Sequence, residues 1–501
     1  MSPAAVTIPR LLGEITAGMA EVPADLMVSD LTLDSRAVTP GALFLACNGR
    51  THHGLRFAAE AVTRGARAIL YEQEGVTEAP RLPAGIFVAG VRDLSERIGY
   101  IADRFFAAPS QQLTIAGITG TNGKTTCAWL LAQALEHCHR PAAYIGTLGY
   151  GRPAHVTPTV HTTSDAVTVQ RQLAQLKALG AECVCMEVSS HALDQARVNG
   201  VRFNTAVFTN LTRDHLDYHG TMEAYGEAKA RLFAWPDLSH RVINIDDPFG
   251  AQLARSGDAA SLIVTTRLGQ DIPAVAQFVR ASRVRPDPSG LLIEVHSSWG
   301  TAELAARLIG EFNVDNTLAV LAVLLAWGVP LGEAVRALGK CRAASGRMEM
   351  FGGRGRTPLA IVDYAHTPDA LANALRAARL HCRGVLRVVF GCGGDRDAGK
   401  RPMMGRIAAE LADDLIITDD NPRSEDPARI VADILDGVGA SPHVVEHDRA
   451  LAIRMALERS VQDDVVLVAG KGHEDYQIVG SERRPFRDQA VVSEALAGMP
   501  A

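Results

Sequence analysis

The residues best suited to chemistry begin with a glycine-rich run, Gly117 to Thr126, of sequence GITGTNGKTT. Glycines let backbone N–H groups approach a polyphosphate, and a lysine followed by a threonine can reach its outer oxygens and a Mg²⁺. Gly117 lies one residue too early for the usual spacing, so we interpret the run as a variant P-loop. The alternative is a glycine-rich turn with an exposed lysine.

Carboxylate and imidazole groups follow two predicted strands further along the chain. Glu187 comes directly after the buried strand Cys183 to Met186, and the strand Thr205 to Thr209 leads into Asn210 to His219. An acid at the carboxyl end of a strand beside a P-loop strand commonly holds Mg²⁺. Glu187 is therefore the first metal candidate, whereas any one of the histidines could equally be a surface or satisfied core residue.

Polar clusters also end strands of the C-terminal third of the chain. In an open α/β sheet, the carboxyl ends of the strands form the edge that binds ligands. The clusters are Asp363–His366, Gly391–Asp397, Asp419–Arg423 and Gly470–Glu474. The glycines of the second cluster do not keep the GxGxxG register, so a dehydrogenase is not favoured.

These groups require α/β domains to position them. The strand Gln112 to Ala116 and the helix Cys127 to His137 flank the P-loop, so its glycines lie where a helix N-terminus offers unpaired N–H groups. A chain of 501 residues is too long for one core. The predicted fold class is α/β, with a small N-terminal α/β domain (1–110), a central P-loop parallel-sheet domain (111–343) and a C-terminal Rossmann-like doubly wound domain (344–501).

Composition limits the classes of partner. The net charge is -6, which gives no general electrostatic footprint for nucleic acid. The eight cysteines show no metal-type CxxC pairs and indicate a reducing compartment. The first thirty residues lack a signal peptide pattern, and the longest apolar run, Leu318 to Val329, is too short to span a bilayer. We expect a cytoplasmic monomer without stable membrane insertion.

Taken together, the motifs resemble the Mur ligase family of peptidoglycan synthesis. The resemblance covers nearly the whole chain in the family's domain order, and its strongest motifs are Gly120–Thr125, Asn210–His219, Gly346–Glu349, Asp363–His366 and Asp420–Arg423. The tetrad Asp420-Asn421-Pro422-Arg423 resembles the element that separates diaminopimelate-adding members from lysine-adding members.

The resemblance implies an ATP-dependent amide synthesis in two steps. The terminal carboxylate of UDP-N-acetylmuramoyl-L-alanyl-D-glutamate attacks the γ-phosphate of ATP, and the amine of meso-diaminopimelate then displaces phosphate from the acyl phosphate. Because carboxylate and triphosphate repel each other, the site needs cations, and the implied cofactor is Mg²⁺.

The resemblance also implies a role for individual residues. Lys124, Glu187, His215 and Lys229 match catalytic positions, with metal contacts at Thr125, Glu187 and His215 and with Lys229 carbamylated by CO₂. ATP contacts match Gly120, Thr121, Asn122, Gly123, Lys124, Thr125, Thr126, Asn313 and Arg347. The nucleotide-sugar dipeptide matches Leu33, Ser35, Arg50, Thr51, His52, His161, Thr162, Thr163, Ser189, Gln195 and Arg197. Diaminopimelate matches Arg396, Asp420, Asn421, Pro422, Arg423, Gly470 and Glu474.

Two rival functions and one alternative for a single residue remain open from the sequence. A P-loop NTPase that drives a partner would hydrolyse ATP without an amino-acid substrate, and usually carries a basic track that this composition lacks. A folate polyglutamate ligase or a lysine-adding relative would share the chemistry. For Lys229 itself, a solvated lysine on a helix surface is the ordinary alternative.

Overall fold

The computed structural model describes residues 8–49, 52–76, 82–159, 161–256, 259–273, 277–287, 290–353 and 356–499. The chain divides into two compact units. The first comprises the described parts of Met1–Ala128 and His139–Ile263, and the second comprises Trp129–Cys138, Val264–Pro273 and the described parts of Gln277–Ala501. The predicted site residues Arg50 and Thr51 lie outside the described residues.

The N-terminal segment of the first unit is a small α/β layer. Its strands are β1 (Arg10–Leu11), β2 (Met27–Val28), β3 (Leu31–Thr32), β4 (Leu43–Ala46), β5 (Ala68–Glu72) and β6 (Phe87–Val91), and its helices are α1 (Leu12–Thr16), α2 (Ala58–Thr63) and α3 (Leu94–Phe105). Strands β3 to β6 form a parallel sheet in chain order. The apolar side chains of β4 and β5 are buried against α1 and α3, which supplies the core of this layer.

The central segment of the chain continues the α/β pattern. Its strands are β7 (Thr114–Thr119), β8 (Ala142–Gly146), β9 (Gly149–Arg152), β10 (His155–Thr157), β11 (Cys183–Glu187), β12 (Thr205–Phe208), β13 (His240–Asn244), β14 (Leu262–Thr266), β15 (Gln277–Asp287), β16 (Gly290–Ser297) and β17 (Gly300–Ala306). Its helices are α4 (Lys124–His137), α5 (Ala166–Ala178), α6 (Ser190–Asp194), α7 (Leu216–His219), α8 (Met222–Ala230), α9 (Pro248–Ser256), α10 (Phe312–Ala326) and α11 (Leu331–Lys340).

Strand register in the first unit brings three strand ends to one place. The strand order is β10-β9-β8-β11-β7-β12-β13, parallel from β8 to β13. Glu187, the last residue of β11, pairs with Ile118 of β7, and Phe208, the last of β12, pairs with Thr119. The residues that follow β7 and β12 therefore begin at the same edge of the sheet as Glu187.

The second unit contains an antiparallel hairpin sheet and a doubly wound sheet. Strands β15, β16 and β17 pair antiparallel. The C-terminal strands are β18 (Glu349–Gly352), β19 (Leu359–Asp363), β20 (Leu386–Phe390), β21 (Asp414–Ile417), β22 (His443–Val445), β23 (Val465–Ala469), β24 (Tyr476–Val479) and β25 (Glu482–Pro485). The helices are α12 (Pro368–Arg379), α13 (Lys400–Leu411), α14 (Pro427–Val438), α15 (Arg449–Glu458) and α16 (Asp488–Ala497).

The doubly wound sheet has the order β18-β19-β23-β20-β21-β22, with parallel pairing except at β18. The four inner strands, β19, β23, β20 and β21, are mostly buried, and their near-continuous apolar sequences are typical of parallel strands covered by helices. The α/β class with parallel sheets agrees with the sequence prediction. The hairpin β24–β25 was not predicted, because β25 is exposed along its length and carries no apolar alternation.

Candidate active site

The glycine-rich run forms the turn between β7 and α4. Gly120 has φ +149°, and a Cβ there would lie 1.9 Å from the Thr209 hydroxyl, so only glycine fits this close approach. The Lys124 Nζ donates 2.8 Å hydrogen bonds to the carbonyl oxygens of Gly120 and Thr121. The lysine thus folds back onto the turn at the helix N-terminus, where backbone N–H groups favour an anion.

The end of β12 holds this turn in place. Asn210 accepts the Thr121 N–H at its backbone carbonyl (2.8 Å) and the Asn122 N–H at Oδ1 (2.9 Å). The Thr209 hydroxyl donates to the Asn122 carbonyl at 2.6 Å. Of the remaining motif residues, Gly123 has φ +85° and Thr126 is half-buried in the first turn of α4.

Glu187 is fully buried beside the P-loop. Its Oε2 accepts a 2.9 Å hydrogen bond from the Thr125 hydroxyl and a 3.3 Å bond from the Thr147 hydroxyl. Its Oε1 accepts from the Thr147 N–H at 2.9 Å and from the Tyr144 hydroxyl. Within the part of the chain that the structure describes, Glu187 has no ion-pair partner, so neutral donors alone hold its carboxylate.

His215 lies in an imidazole cluster on the segment that follows β12. Its ring centroid is 5.0 Å from that of His191, and the rings of His191 and His219 are 5.4 Å apart. Burial lowers the pKa of both His191 and His219. Among the described residues, no hydrogen bond links His215 to Glu187, and no group of three or more His, Cys, Asp or Glu could hold a metal ion. The structure therefore joins Thr125 to Glu187, and the three-residue metal set stays a prediction.

Lys229 is buried, with 1% of its surface exposed, which excludes the solvated-lysine alternative. Burial and repulsion from Lys124 lower the pKa of its amine well below the usual value of 10.5, and attraction to Asp214 opposes this only in part. The Nζ lies 4.2 Å from the ring centroid of Tyr225. These surroundings favour the neutral amine over the ammonium form, and the neutral amine is the form that reacts with CO₂.

The predicted dipeptide contacts form one hydrogen-bonded group. Thr163 donates its hydroxyl hydrogen to the Glu187 carbonyl (2.9 Å), and the Ser189 N–H donates to the Thr163 hydroxyl (3.2 Å). The Arg197 guanidinium donates to the Thr163 carbonyl (3.0 Å) and to Oε1 of Gln195 (2.5 and 3.0 Å). These residues therefore line one side of the Glu187 strand end.

The other predicted nucleotide-sugar contacts are less closely joined. Thr162 bonds the Thr147 hydroxyl at 3.1 Å, whereas the side chain of His161 is exposed. In the N-terminal layer, Ser35 is buried and donates to Glu60 at 2.7 Å, Leu33 packs against the core, and His52 is exposed. These residues remain predicted contacts.

The second unit holds a separate cluster around Arg347. Its guanidinium lies 4.9 Å from the Tyr364 ring centroid, and its Nε is buried without a hydrogen-bond partner among the described residues. Burial raises the pKa of Asp363, and the charge of Arg347 opposes that rise. Asn313 uses its amide group at the start of α10, donating to the Ile309 carbonyl at 2.7 Å.

The predicted amino-acid site lies at the carboxyl edge of the doubly wound sheet. Asn421 donates to Oε2 of Glu474 at 2.8 Å, and the Arg423 guanidinium donates to the Gly394 carbonyl at 2.7 Å. Burial raises the pKa of Asp420. Gly470, with φ +117°, leaves room for the Asp420 carboxylate, since a Cβ there would lie 2.7 Å from its Oδ2.

The unpredicted hairpin β24–β25 supports this site. The Arg423 N–H donates to the Ile478 carbonyl at 3.1 Å, and the Gly480 N–H donates to the Arg423 carbonyl at 2.7 Å. Arg423 itself has φ +53°, a left-handed backbone conformation that is strained for any residue other than glycine. The two backbone hydrogen bonds maintain this conformation. Pro422 is buried next to it, whereas Arg396 is exposed and bonds only the carbonyl of Asp395 (3.3 Å) among the described residues.

Three functional residues escaped the sequence reasoning. Tyr144 and Thr147 bond Glu187, but they lie in and just after β8, a strand that the sequence analysis did not predict. Lys471 was noted within the Gly470–Glu474 cluster without a role, and the structure buries it completely. Register and burial, which are tertiary features, identify all three.

Three family models match this chain, one after another along its length. Residues 28–105 match a model described as "Mur ligase family, catalytic domain", residues 118–324 match "Mur ligase middle domain", and residues 346–472 match "Mur ligase, glutamate ligase domain". The three-domain architecture that the sequence predicts is therefore confirmed, whereas its boundaries at 110 and 343 stay a prediction.

Individual relatives are similar over nearly their whole length. A protein of Alkalilimnicola ehrlichii named UDP-N-acetylmuramoyl-L-alanyl-D-glutamate--2,6-diaminopimelate ligase is 49% identical, covering 94% of this chain and 95% of the relative. A protein of the same name from Pseudomonas aeruginosa is 46% identical, covering 94% and 96%. A solved structure of such a ligase has a TM-score of 0.73 at 35% identity, covering 98% of this chain and 99% of the other. MurF from Acinetobacter baumannii, at 19% identity and TM-score 0.64, covers 93% and 96% and shares the fold.

Proposed function

The chain belongs to the Mur ligase family, and from that premise we propose that it joins meso-diaminopimelate to UDP-N-acetylmuramoyl-L-alanyl-D-glutamate with conversion of ATP to ADP and phosphate. The observation that carries this proposal is the 49% identity, over 94% of the chain, to a ligase whose name states both substrates. The product is a precursor of peptidoglycan.

The reaction has two balanced steps. A carboxylate oxygen of the dipeptide's glutamate forms a bond to the γ-phosphorus of ATP, and the bond between that phosphorus and the bridging oxygen breaks to release ADP. The amine nitrogen of diaminopimelate then forms a bond to the acyl carbon, phosphate leaves with the former carboxylate oxygen, and the amine loses a proton to the medium.

The P-loop supplies the positive surroundings for the first step. Lys124 sits at the helix N-terminus with its amine turned toward the glycine turn, so it is placed to offset charge on the outer phosphates. Asn210 and Thr209 hold the turn rigid, which lowers the cost of ordering it when the nucleotide binds. We assign the ATP phosphates to this turn.

The donors around Glu187 fit Mg²⁺. A buried carboxylate next to a threonine hydroxyl is a set of hard oxygen ligands, and Glu187 has no cation beside it in the described part of the chain. We assign Thr125 and Glu187 to the metal, with His215 as a further ligand. When bound, Mg²⁺ would neutralise charge that develops on the phosphate oxygens.

Lys229 takes a separate role in the proposal. Its amine is buried and its pKa is lowered, which suits it to carbamylation, and carbamylation would convert it into an anion near the imidazole cluster. A carbamate oxygen is a hard ligand, so we assign Lys229 to the placement of a metal ion rather than to a direct charge contact with ATP.

The amino-acid site follows charge complementarity. Diaminopimelate carries two carboxylates and two ammonium groups, so it needs both a two-pronged cation and an acid. We assign Arg423 to a carboxylate and Glu474 to an ammonium group, with Asn421 between them. Lysine lacks the second carboxylate, which makes Arg423 the residue that would distinguish the two amines.

We place the reaction in the cytoplasm. Six cysteines of the described part of the chain are free thiols, as a reducing compartment would keep them: Cys47, Cys183, Cys185, Cys341, Cys382 and Cys392. No helix among the described residues is long and apolar enough to cross a bilayer. A monomeric state stays a prediction.

Phosphate release from ATP tests the function. The protein is incubated with Mg²⁺, ATP and the UDP-linked dipeptide, with diaminopimelate, with lysine or with neither, and the new amide product is followed by mass spectrometry. Amide product in equal amount to the released phosphate, formed with diaminopimelate and not with lysine, supports the proposal. Product with lysine would make the chain a lysine-adding relative, and phosphate release that ignores both amines would favour an NTPase.

A further inference from the structure

Lys471 is a completely buried lysine next to the proposed amino-acid site. It follows β23, and its Nζ donates to Oδ1 of Asn421 at 3.2 Å and to Oε2 of Glu474 at 3.0 Å. Its amine also lies 5.5 Å from the ring centroid of Tyr476. A lysine at full burial is rare unless it is paired, and both of its polar partners here are residues assigned to substrate recognition.

The lysine is one of two donors that set which way the Asn421 amide faces. An ammonium group has donors and no acceptor, so only the Oδ1 of Asn421 can face it. The same Oδ1 also accepts the Ile478 N–H at 2.9 Å, which leaves the Nδ2 to donate to Glu474 at 2.8 Å. Without the lysine, one of the two constraints on this orientation is lost.

Lys471 likewise fixes which oxygen of Glu474 stays available. Oε2 accepts from both Lys471 and Asn421, whereas Oε1 makes no hydrogen bond to any residue that the structure describes. Oε1 is thereby left for an incoming ammonium group. The lysine has a second electrostatic task, because its charge opposes the rise in the pKa of the buried Asp420 nearby.

We propose that Lys471 is a positioning residue for the amine substrate, which orients Asn421 and Glu474 to receive an ammonium group without contacting the substrate itself. This inference rests on the proposed function. A completely buried residue would thus contribute to the selectivity of the site for its amine. Loss of Lys471 would displace Glu474 and weaken binding of the amine, while binding of ATP and the dipeptide would be unaffected.

A double-mutant cycle tests the inference through the KM for diaminopimelate. Lys471→Met keeps the length and apolar stem of the side chain but removes its donors, and we expect the KM to rise about 30-fold, with the KM for ATP within about twofold, as for removal of a charged hydrogen bond. In a Glu474→Gln background, the same change should raise the KM less than about threefold, because the group it positions has already been altered.

Each outcome decides one question. Wild-type protein that uses no diaminopimelate would end the proposed function, whereas wild-type turnover with an unchanged KM in Lys471→Met would end only this inference. Equal effects of Lys471→Met in both backgrounds would also overturn it, because a merely structural lysine acts independently of Glu474. If Lys471→Met does not fold, Lys471→Leu, which also lacks donors, takes its place in the same cycle with the same criteria.

Discussion

The hydroxyl of Thr125 donates a 2.9 Å hydrogen bond to Oε2 of Glu187, which joins the first turn of the P-loop helix to the end of the neighbouring strand. The register of β11 against β7 makes this contact possible, because it sets Glu187 beside Ile118, directly before the turn. One bond thus connects the proposed nucleotide site and the proposed metal site, so a change at Thr125 should affect both catalysis and stability.

We expect Thr125→Val to reduce kcat by about 100-fold or more, since it removes a hard oxygen ligand from a site that stabilises phosphate charge. It should also lower the free energy of unfolding by about 1–3 kcal/mol, because the buried Glu187 carboxylate loses a donor. Phosphate release and thermal melting measure the two effects. Thr125→Ser is the matched control and should retain most of both properties; wild-type kcat in Thr125→Val would contradict the metal assignment.

A second prediction concerns chemical rescue at Lys229. Lys229→Ala should lose nearly all activity and regain part of it when acetate is added, because the truncated side chain leaves a buried space that a small carboxylate can enter in place of the carbamate. Lys229→Met fills the same space and should be equally inactive but insensitive to acetate. Activity is followed as amide product against acetate concentration at constant ionic strength.

The contrast between Lys229→Ala and Lys229→Met separates the effect of an anion bound at position 229 from other effects of acetate. Full activity of Lys229→Ala in buffer without bicarbonate or acetate would show that no carbamate is needed. Equal stimulation of both variants by acetate would assign the effect to the salt rather than to the vacated position.

The sequence predicted the P-loop, its flanking strand and helix, and the doubly wound sheet because these features are encoded locally. Buried parallel strands read as apolar runs, and the Gly, Lys and Thr residues of the turn are contiguous in the sequence, although the first glycine departs from the usual spacing. The structure starts α4 at Lys124, three residues before the predicted Cys127, because the helix begins inside the motif itself. Polar motif residues carry no apolar periodicity, so periodicity alone could not find this start.

Other parts of the site were beyond a local reading. Lys229 stands in the last turn of α8, where nothing in the neighbouring residues distinguishes a buried lysine from a solvated one. Tyr144 contacts Glu187 only because β8 and β11 pair in parallel, with Ile145 opposite Met186. Pairing of strands far apart in sequence sets both features, so only the fold reveals them.

His473 yields a prediction on pH and stability. Burial, with repulsion from Arg347, lowers its pKa to about 4 from an ordinary 6.5. Between these two values the unfolded chain binds more protons than the folded chain, so folding stability falls as pH drops from 6.5 toward 4. His473→Gln removes this contribution, and its melting temperature relative to wild type should therefore be higher at pH 5 than at pH 7.5.

Differential scanning fluorimetry at the two pH values measures this shift. His443→Gln, at an exposed position of the same sheet, is the matched control and should keep the same difference from wild type at both pH values. A His473→Gln difference that does not change with pH would show that the imidazole is accessible to protons in the folded protein.

The last prediction concerns amine selectivity at Arg423. Its guanidinium donates to the Gly394 carbonyl at 2.7 Å and keeps further N–H groups for a substrate carboxylate. A lysine side chain at position 423 carries a single point charge and cannot make both contacts in this way. We expect Arg423→Lys to raise the KM for diaminopimelate about 30-fold, near 2 kcal/mol. The substrate lysine lacks the carboxylate that Arg423 would bind, so the weak turnover of lysine should change little. The ratio of kcat/KM for diaminopimelate to kcat/KM for lysine should therefore fall. Arg429→Lys, at an exposed arginine of the adjacent α14, is the control and should leave both amines unaffected. An equal loss with both amines in Arg423→Lys would mean that this arginine supports the loop through Gly394 and does not recognise the substrate.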